Sequence, residues 1–179
     1  MKLTWFAGTT IRVQIGGAIL VADAGGAPRG VELRELLSGA DRAFSLAAPD
    51  STIAMADSLN WRRRPQQRAI DEASAPAPID LVRFAGGVVL VDAPGEPPLV
   101  LAAAPVLPPS GRWISESVVV LFGDRIAVAA TGKALLALHP PRLMAIAASD
   151  GVDAIFAALA PVLDGAGLVA LEAGLALEI

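Results

Sequence analysis

Apolar and polar positions alternate from the amino terminus. Leu3 and Trp5, then Ile11, Val13 and Ile15, stand between polar or small neighbours, the period-two signature of half-buried strands. Gly16-Gly17 separates that run from Ala18–Ala22, so the first 23 residues predict an antiparallel meander. Asp23–Pro28 reads as a loop. Val31, Leu33, Leu36 and Leu37 then recur at helical spacing, with Glu32 and Glu35 early, and predict a short helix stopped by Ser38-Gly39. Arg42–Ala47 predicts a strand, and Ser51–Leu59 a helix capped by Asp50 or Ser51. Asn60–Pro78 turns to Arg, Gln, Ser, Ala and Pro, which fits a surface excursion within one domain rather than a boundary between two.

The strand pattern resumes at Leu81–Phe84, turns at Gly86-Gly87, and continues through Val88–Val91 and Leu99–Ala103. Ser117–Phe122 and Arg125–Ala130 predict another hairpin about Gly123-Asp124, followed by a helix at Lys133–Leu138 and a buried strand at Leu143–Ala147. Val152, Ile155, Phe156, Leu159, Val162 and Leu163 mark a last helix, capped by Asp150 or Ser149 and ended by Asp164-Gly165. Leu168–Leu171 and Leu175–Ile179 close the chain as short strands. Strands dominate and helices fall between hairpins, so the pattern predicts an α+β fold, an αββα sandwich rather than a doubly wound parallel sheet. Ile15–Ala24 is echoed by Ala85–Ala93, 70 residues later, as two hairpins of one design would be in two related halves.

Composition narrows the setting. The 179 residues fit a single domain spanning 1–179, and a hydrophobic fraction of 54% with 18% charged residues predicts an ordered chain. No window of about 20 residues lacks charge. The longest charge-free run, Pro97–Gly111, is broken by prolines, so no membrane span is expected. The amino-terminal run has no signal-peptide pattern, which makes the cytoplasm the expected location. With no Cys there are no disulfides, thiol nucleophiles or thiolate metal sites. The net charge of −4 argues against a nucleic-acid partner, which would need a basic face. Trp61-Arg62-Arg63-Arg64 interrupts that acidic balance. Its two readings are a solvated segment pairing with nearby acids and a contact for an acidic partner. The apolar surplus makes a homo-oligomer an expectation.

Residues 3–23, with Trp5, Ile11, Ile15, Gly16-Gly17 and Asp23, resemble the opening of the metallo-β-lactamase superfamily, in its lactonase-like branch of metal-dependent hydrolases. Ser117–Gly132 resembles the hairpin that leads into that family's Gly-Asp-Thr-Gly motif. The resemblance implies an αββα sandwich and a two-metal hydrolytic centre held by clustered His and Asp. The sequence departs from the family at each ligand position. Where the family has His-x-His-x-Asp-His, this chain has Leu46-Ala47-Ala48-Pro49-Asp50-Ser51-Thr52. The early His is Gly8, the Asp of Gly-Asp-Thr-Gly falls on Ala130 before Thr131-Gly132, and a later His falls near Ala102–Ala104.

One His in the whole chain, His139, precedes Pro140-Pro141 and matches no ligand position, so helix capping is its expected role. The site expected from sequence is therefore a degenerate one, with no catalytic residue, no metal and no cofactor, in a protein that binds or assembles. Ala102–Ala104 would fill the space where metals sat. The alternative is a hydrolase of lactones or phosphoesters using Asp23 and Asp50 as acid and base in the old cleft, which requires the two carboxylates to share one pocket. No Gly-x-Ser-x-Gly elbow and no complete phosphate-binding loop accompanies either reading.

Overall fold

The alternation at the amino terminus forms three strands in the computed structural model, which describes residues 1–63 and 79–179. They are β1 (Lys2–Ala7), β2 (Thr10–Ile15) and β3 (Ala18–Ala22). Leu3, Trp5, Ile11, Val13, Ile15, Leu20 and Ala22 bury on one face. β4 (Arg42–Phe44) pairs parallel to β3, and β12 (Ala176–Glu178) antiparallel to β1, giving a five-stranded sheet in the order β12-β1-β2-β3-β4.

Among the described residues the second sheet has seven strands. They are β5 (Ala54–Met55), β6 (Asp80–Ala85), β7 (Val88–Asp92), β8 (Leu99–Ala103), β9 (Val118–Phe122), β10 (Leu143–Ala147) and β11 (Gly167–Ala170). Their order is β11-β10-β9-β8-β7-β6-β5. The central strands β7 to β10 are buried on both faces because both faces are covered. Val89, Val91, Leu99, Leu101, Val118, Val120 and Phe122 meet the first sheet. Leu90, Val100, Val119, Leu121, Met144 and Ile146 meet α2 (Arg125–Leu138) and α3 (Val152–Leu159). Trp61, Phe84 and Trp113 extend that outer cover, with Trp113 5.4 Å from Phe84 and 4.8 Å, edge-on, from Trp61.

The two-sheet α+β architecture agrees with the pattern of the sequence. On the far side of the first sheet, the helical layer among the described residues is the single turn α1 (Leu33–Leu36). Arg12 fastens it, donating to the carbonyls of Leu36 and Ser38 at 2.8 Å each. The two echoed hairpins lie one in each sheet. The first turn touches the end of the second hairpin, where a Cβ on Gly16 would stand 3.0 Å from Cβ of Ala93. The second turn reaches the end of the first through Leu46, whose carbonyl accepts from the Gly87 N–H at 3.0 Å and whose N–H donates to Asp23.

Four expectations are corrected. Arg125–Ala130 is no strand but the first half of α2. Gly123, at φ 145, ends β9, and the Asp124 carboxylate accepts from the N–H groups of Ile126 and Ala127 at 2.8 and 2.9 Å. The alternation Ile126, Val128, Ala130 misleads because Ile126 is 73% exposed, whereas the buried stripe is Val128, Thr131, Gly132, Leu135 and Leu136. Ser51–Leu59 is no helix. Asp50 spends its carboxylate on a turn at Thr52, β5 pairs parallel to β6, and Asp57 forms a second turn with Leu59 and Asn60. β4 stops at Phe44, short of Ala47, because the chain leaves the sheet to cross the rim of the sandwich. The last helix is entered through Gly151, at φ 65, with no side-chain cap from Asp150 or Ser149. Most of the predicted excursion, residues 64–78, lies outside the described residues.

α2 seats on β10 and α3 through Gly132, where a Cβ would lie 3.0 Å from Leu159 Cδ2 and 3.3 Å from Met144 Sδ. Gly132→Val is expected to lower stability by about 1–3 kcal/mol through overpacking, read by urea denaturation. Parental stability would show that this helix face is not seated there.

Candidate functional site

The residues that follow β3 and β4 meet the β6–β7 turn at one rim of the sandwich, and a single residue, Leu46, joins them. Leu46 is fully buried between the sheets. Its N–H donates to Asp23 Oδ1 at 3.2 Å, at the end of the first sheet. Its carbonyl accepts from the Gly87 N–H and from Nη1 of Arg83, both in the second sheet. Nη2 of Arg83 donates to the Ser45 carbonyl at 2.7 Å. The Ser45–Thr52 segment is thus a strap held from both sides.

Asp23 is shaped for this task. It sits at φ 45 and ψ 47, a left-handed conformation that Asp tolerates better than most residues. Its N–H donates to the Phe44 carbonyl at 2.8 Å, and its carbonyl accepts the Thr10 hydroxyl at 2.8 Å. Asp50 has separate partners. Its carboxylate accepts the Thr52 N–H at 2.8 Å and the Thr52 hydroxyl at 2.6 Å, with the Arg42 guanidinium 3.9 Å away. The Thr52 hydroxyl and amide hold the Asp50 carboxyl below its ordinary value of 3.8, helped by the charges of Arg42 and Arg83. The two candidate carboxylates are therefore committed to different hydrogen-bond sets.

Arg83 is the residue that the sequence pattern did not single out. It is 5% exposed and points, like Leu81 two residues before it, into the space between the sheets. Among the described residues no carboxylate oxygen lies within 4.0 Å of it, and its Nε has no hydrogen-bond partner. The available signal was a lone Arg within the apolar strand Leu81-Val82-Arg83-Phe84.

The other candidates fall elsewhere. α2 starts at this rim and runs away from it for 14 residues, about 21 Å, so His139 stands at the opposite end. There its backbone N–H closes the helix on the Leu135 carbonyl at 2.9 Å. Thr131-Gly132 is inside α2, packed on β10 and α3. Gly8 forms the β1–β2 turn and accepts from Trp5 Nε1 at 3.0 Å. Of the three alanines placed in the old cleft, Ala102 and Ala104 pack toward the helices and Ala103 toward the space between the sheets. Among the described residues no group of three or more His, Asp or Glu is gathered as metal ligands would be.

In the basic cluster, Arg63 turns back onto the protein. Its Nε is 3.2 Å from Oδ1 of the buried Asp92, and Nη2 donates to the Ala93 carbonyl at 2.8 Å and to that of Glu96. Arg62 donates to the carbonyls of Leu59 and Trp61. Trp61 packs on Trp113, and Arg64 lies outside the described residues. The Arg63 contacts belong to the opposite rim. An open groove of about 720 Å³ lies there too, and two of the charges that line it, Lys2 and Glu178, are 4.0 Å apart.

No family model matches the sequence, and no curated protein is similar to it. A solved structure described as Igni18, a novel metallo hydrolase from the hyperthermophilic archaeon Ignicoccus hospitalis, matches 99% of this chain and 98% of its own. The TM-score is 0.54 and the identity 12%. The likeness is one of fold. No helix among the described residues is long and apolar enough to cross a membrane.

Asp23→Ala leaves the buried Leu46 N–H without an acceptor and places alanine in a left-handed conformation. It is expected to cost about 1–3 kcal/mol. Asp23→Asn keeps an acceptor and tolerates the backbone, so its loss is expected to be the smaller in urea denaturation. Equal losses would mean that the carboxylate does not hold the strap.

Proposed function

We propose that the chain is a single domain of the metallo-β-lactamase type, from the lactonase-like branch, that has lost its dinuclear metal centre. In this reading it acts by binding or assembly, as a homo-oligomer in the cytoplasm, and not as a hydrolase. The observation that carries the reading is the strap. The family resemblance sets Leu46–Thr52 against the metal-binding His-x-His-x-Asp-His, and here the first residue of that segment, Leu46, is fixed through its backbone by Asp23 and Arg83.

The residues present do not fit a two-metal centre. The segment carries no imidazole, Asp50 is engaged by Thr52, Asp23 by Leu46, and a buried guanidinium adds a fixed positive charge that opposes a divalent cation. The fold shared with a metallo hydrolase supports the ancestry. The same commitments of Asp23 and Asp50 leave the two-carboxylate hydrolase without a supporting contact.

Elemental analysis of untagged protein, grown with added zinc and manganese and then dialysed, is expected to find well under one equivalent of either metal. One or more retained equivalents would overturn the reading.

A further inference from the structure

We propose that Arg83 is the anchor of a binding site for a small oxyanion, a carboxylate or phosphate group, at the strap rim. A guanidinium offers its donors in two forks, and the side-on fork consists of Nε–H together with the nearer Nη2–H. In Arg83 those two donors are the weakly used ones. Among the described residues Nε has no partner, and Nη2 is given to a neutral carbonyl, that of Ser45. The remaining terminal nitrogen, Nη1, holds the Leu46 carbonyl in a fully buried bond.

A buried, permanently charged group is costly unless paired. Arg83 is 5% exposed, yet among the described residues no carboxylate lies within ion-pair distance. Asp50 contributes at longer range only and is already bonded to Thr52. An oxyanion accepting from Nε–H and Nη2–H would supply a charged, bidentate acceptor, and such bonds are about twice as strong as those to a neutral one.

The geometry also gives the entry. The Ser45 bond is only partly buried, Ser45 itself is half-buried, and Ala47 to Pro49 beyond it are exposed. Nη2 carries two hydrogens, so an oxyanion takes the side-on fork either by displacing the Ser45 carbonyl or by leaving it on the second hydrogen. In both cases Leu46 keeps Asp23, Gly87 and Nη1, so the sheets stay joined while the ligand binds. The site stands apart from the loss of the metal centre, since metal analysis tests that loss and an anion titration tests this site.

The test is a titration of the full chain with sodium phosphate and, separately, sodium acetate, against sodium chloride of equal ionic strength. Two signals are followed, the Tm and the Arg83 Nε–H resonance in nitrogen-15 NMR. At least one oxyanion is expected to raise the Tm saturably above the chloride control and to shift the Nε–H resonance with the same Kd. Acetate and phosphate acting alike would define a site for a single carboxylate-sized group, and phosphate alone a phosphate site. Arg83→Met is expected to abolish the Tm rise. A Tm that follows ionic strength only, an Nε–H resonance that does not move, or an Arg83→Met protein stabilised as much as the parent would overturn the proposal. If Arg83→Met does not fold, the resonance of the parent protein decides alone.

Discussion

The Leu46 peptide is the constraint on which this rim depends. Two sheets packed face to face are held mainly by apolar contact, which resists separation but does not fix where loops cross the edge. Here one buried residue, Leu46, gives its N–H to the first sheet and its carbonyl to the second, with a guanidinium as one donor. Hydrogen bonds to charged groups contribute about 1.5–3 kcal/mol each. Losing a partner would leave a polar group orphaned in the core, so the arrangement is over-determined rather than merely favourable.

The same contact accounts for the chemistry of the site. A strap tied through its backbone has no need of ligand side chains, and Ala47-Ala48-Pro49 show none. Its cation is built in as Arg83. The other rim has a related device: Arg63 spans the buried Asp92 and the carbonyls of Ala93 and Glu96. In both places an Arg binds backbone carbonyls just past the end of a strand. The difference is that Arg63 has a carboxylate partner and Arg83, among the described residues, has none within ion-pair distance, which sets the strap rim apart as a place for an anionic ligand.

Much of the fold was legible because it is written in side-chain periodicity. β1 to β3, β6 to β8, β10 and α3 follow runs whose polarity matches their burial. The errors arose where one signal has two meanings. Asp before a Ser-Thr pair marks either a helix cap or a local turn, and at Asp50 the turn prevails. Ile126, Val128 and Ala130 alternate by chance within a helix whose buried stripe continues to Leu136. The site was less legible still. Its bonds run through the backbone of Ser45, Leu46 and Gly87, which leaves no trace in residue type. Whether Arg83 faces inward depends on the register of β6 against the other sheet, a tertiary fact. Asp23 was visible because it closes the run of residues that carries the resemblance, whereas its bond to the Leu46 N–H was not.

Leu46 is a joint between the sheets, and native-state hydrogen exchange at the Leu46 and Gly87 amides tests that most directly. Both amides are expected to exchange only through global unfolding, as slowly as those of β7 and β9. Exchange at the rate of the exposed Ala47 and Ala48 amides would show that the strap opens freely, and would contradict the account.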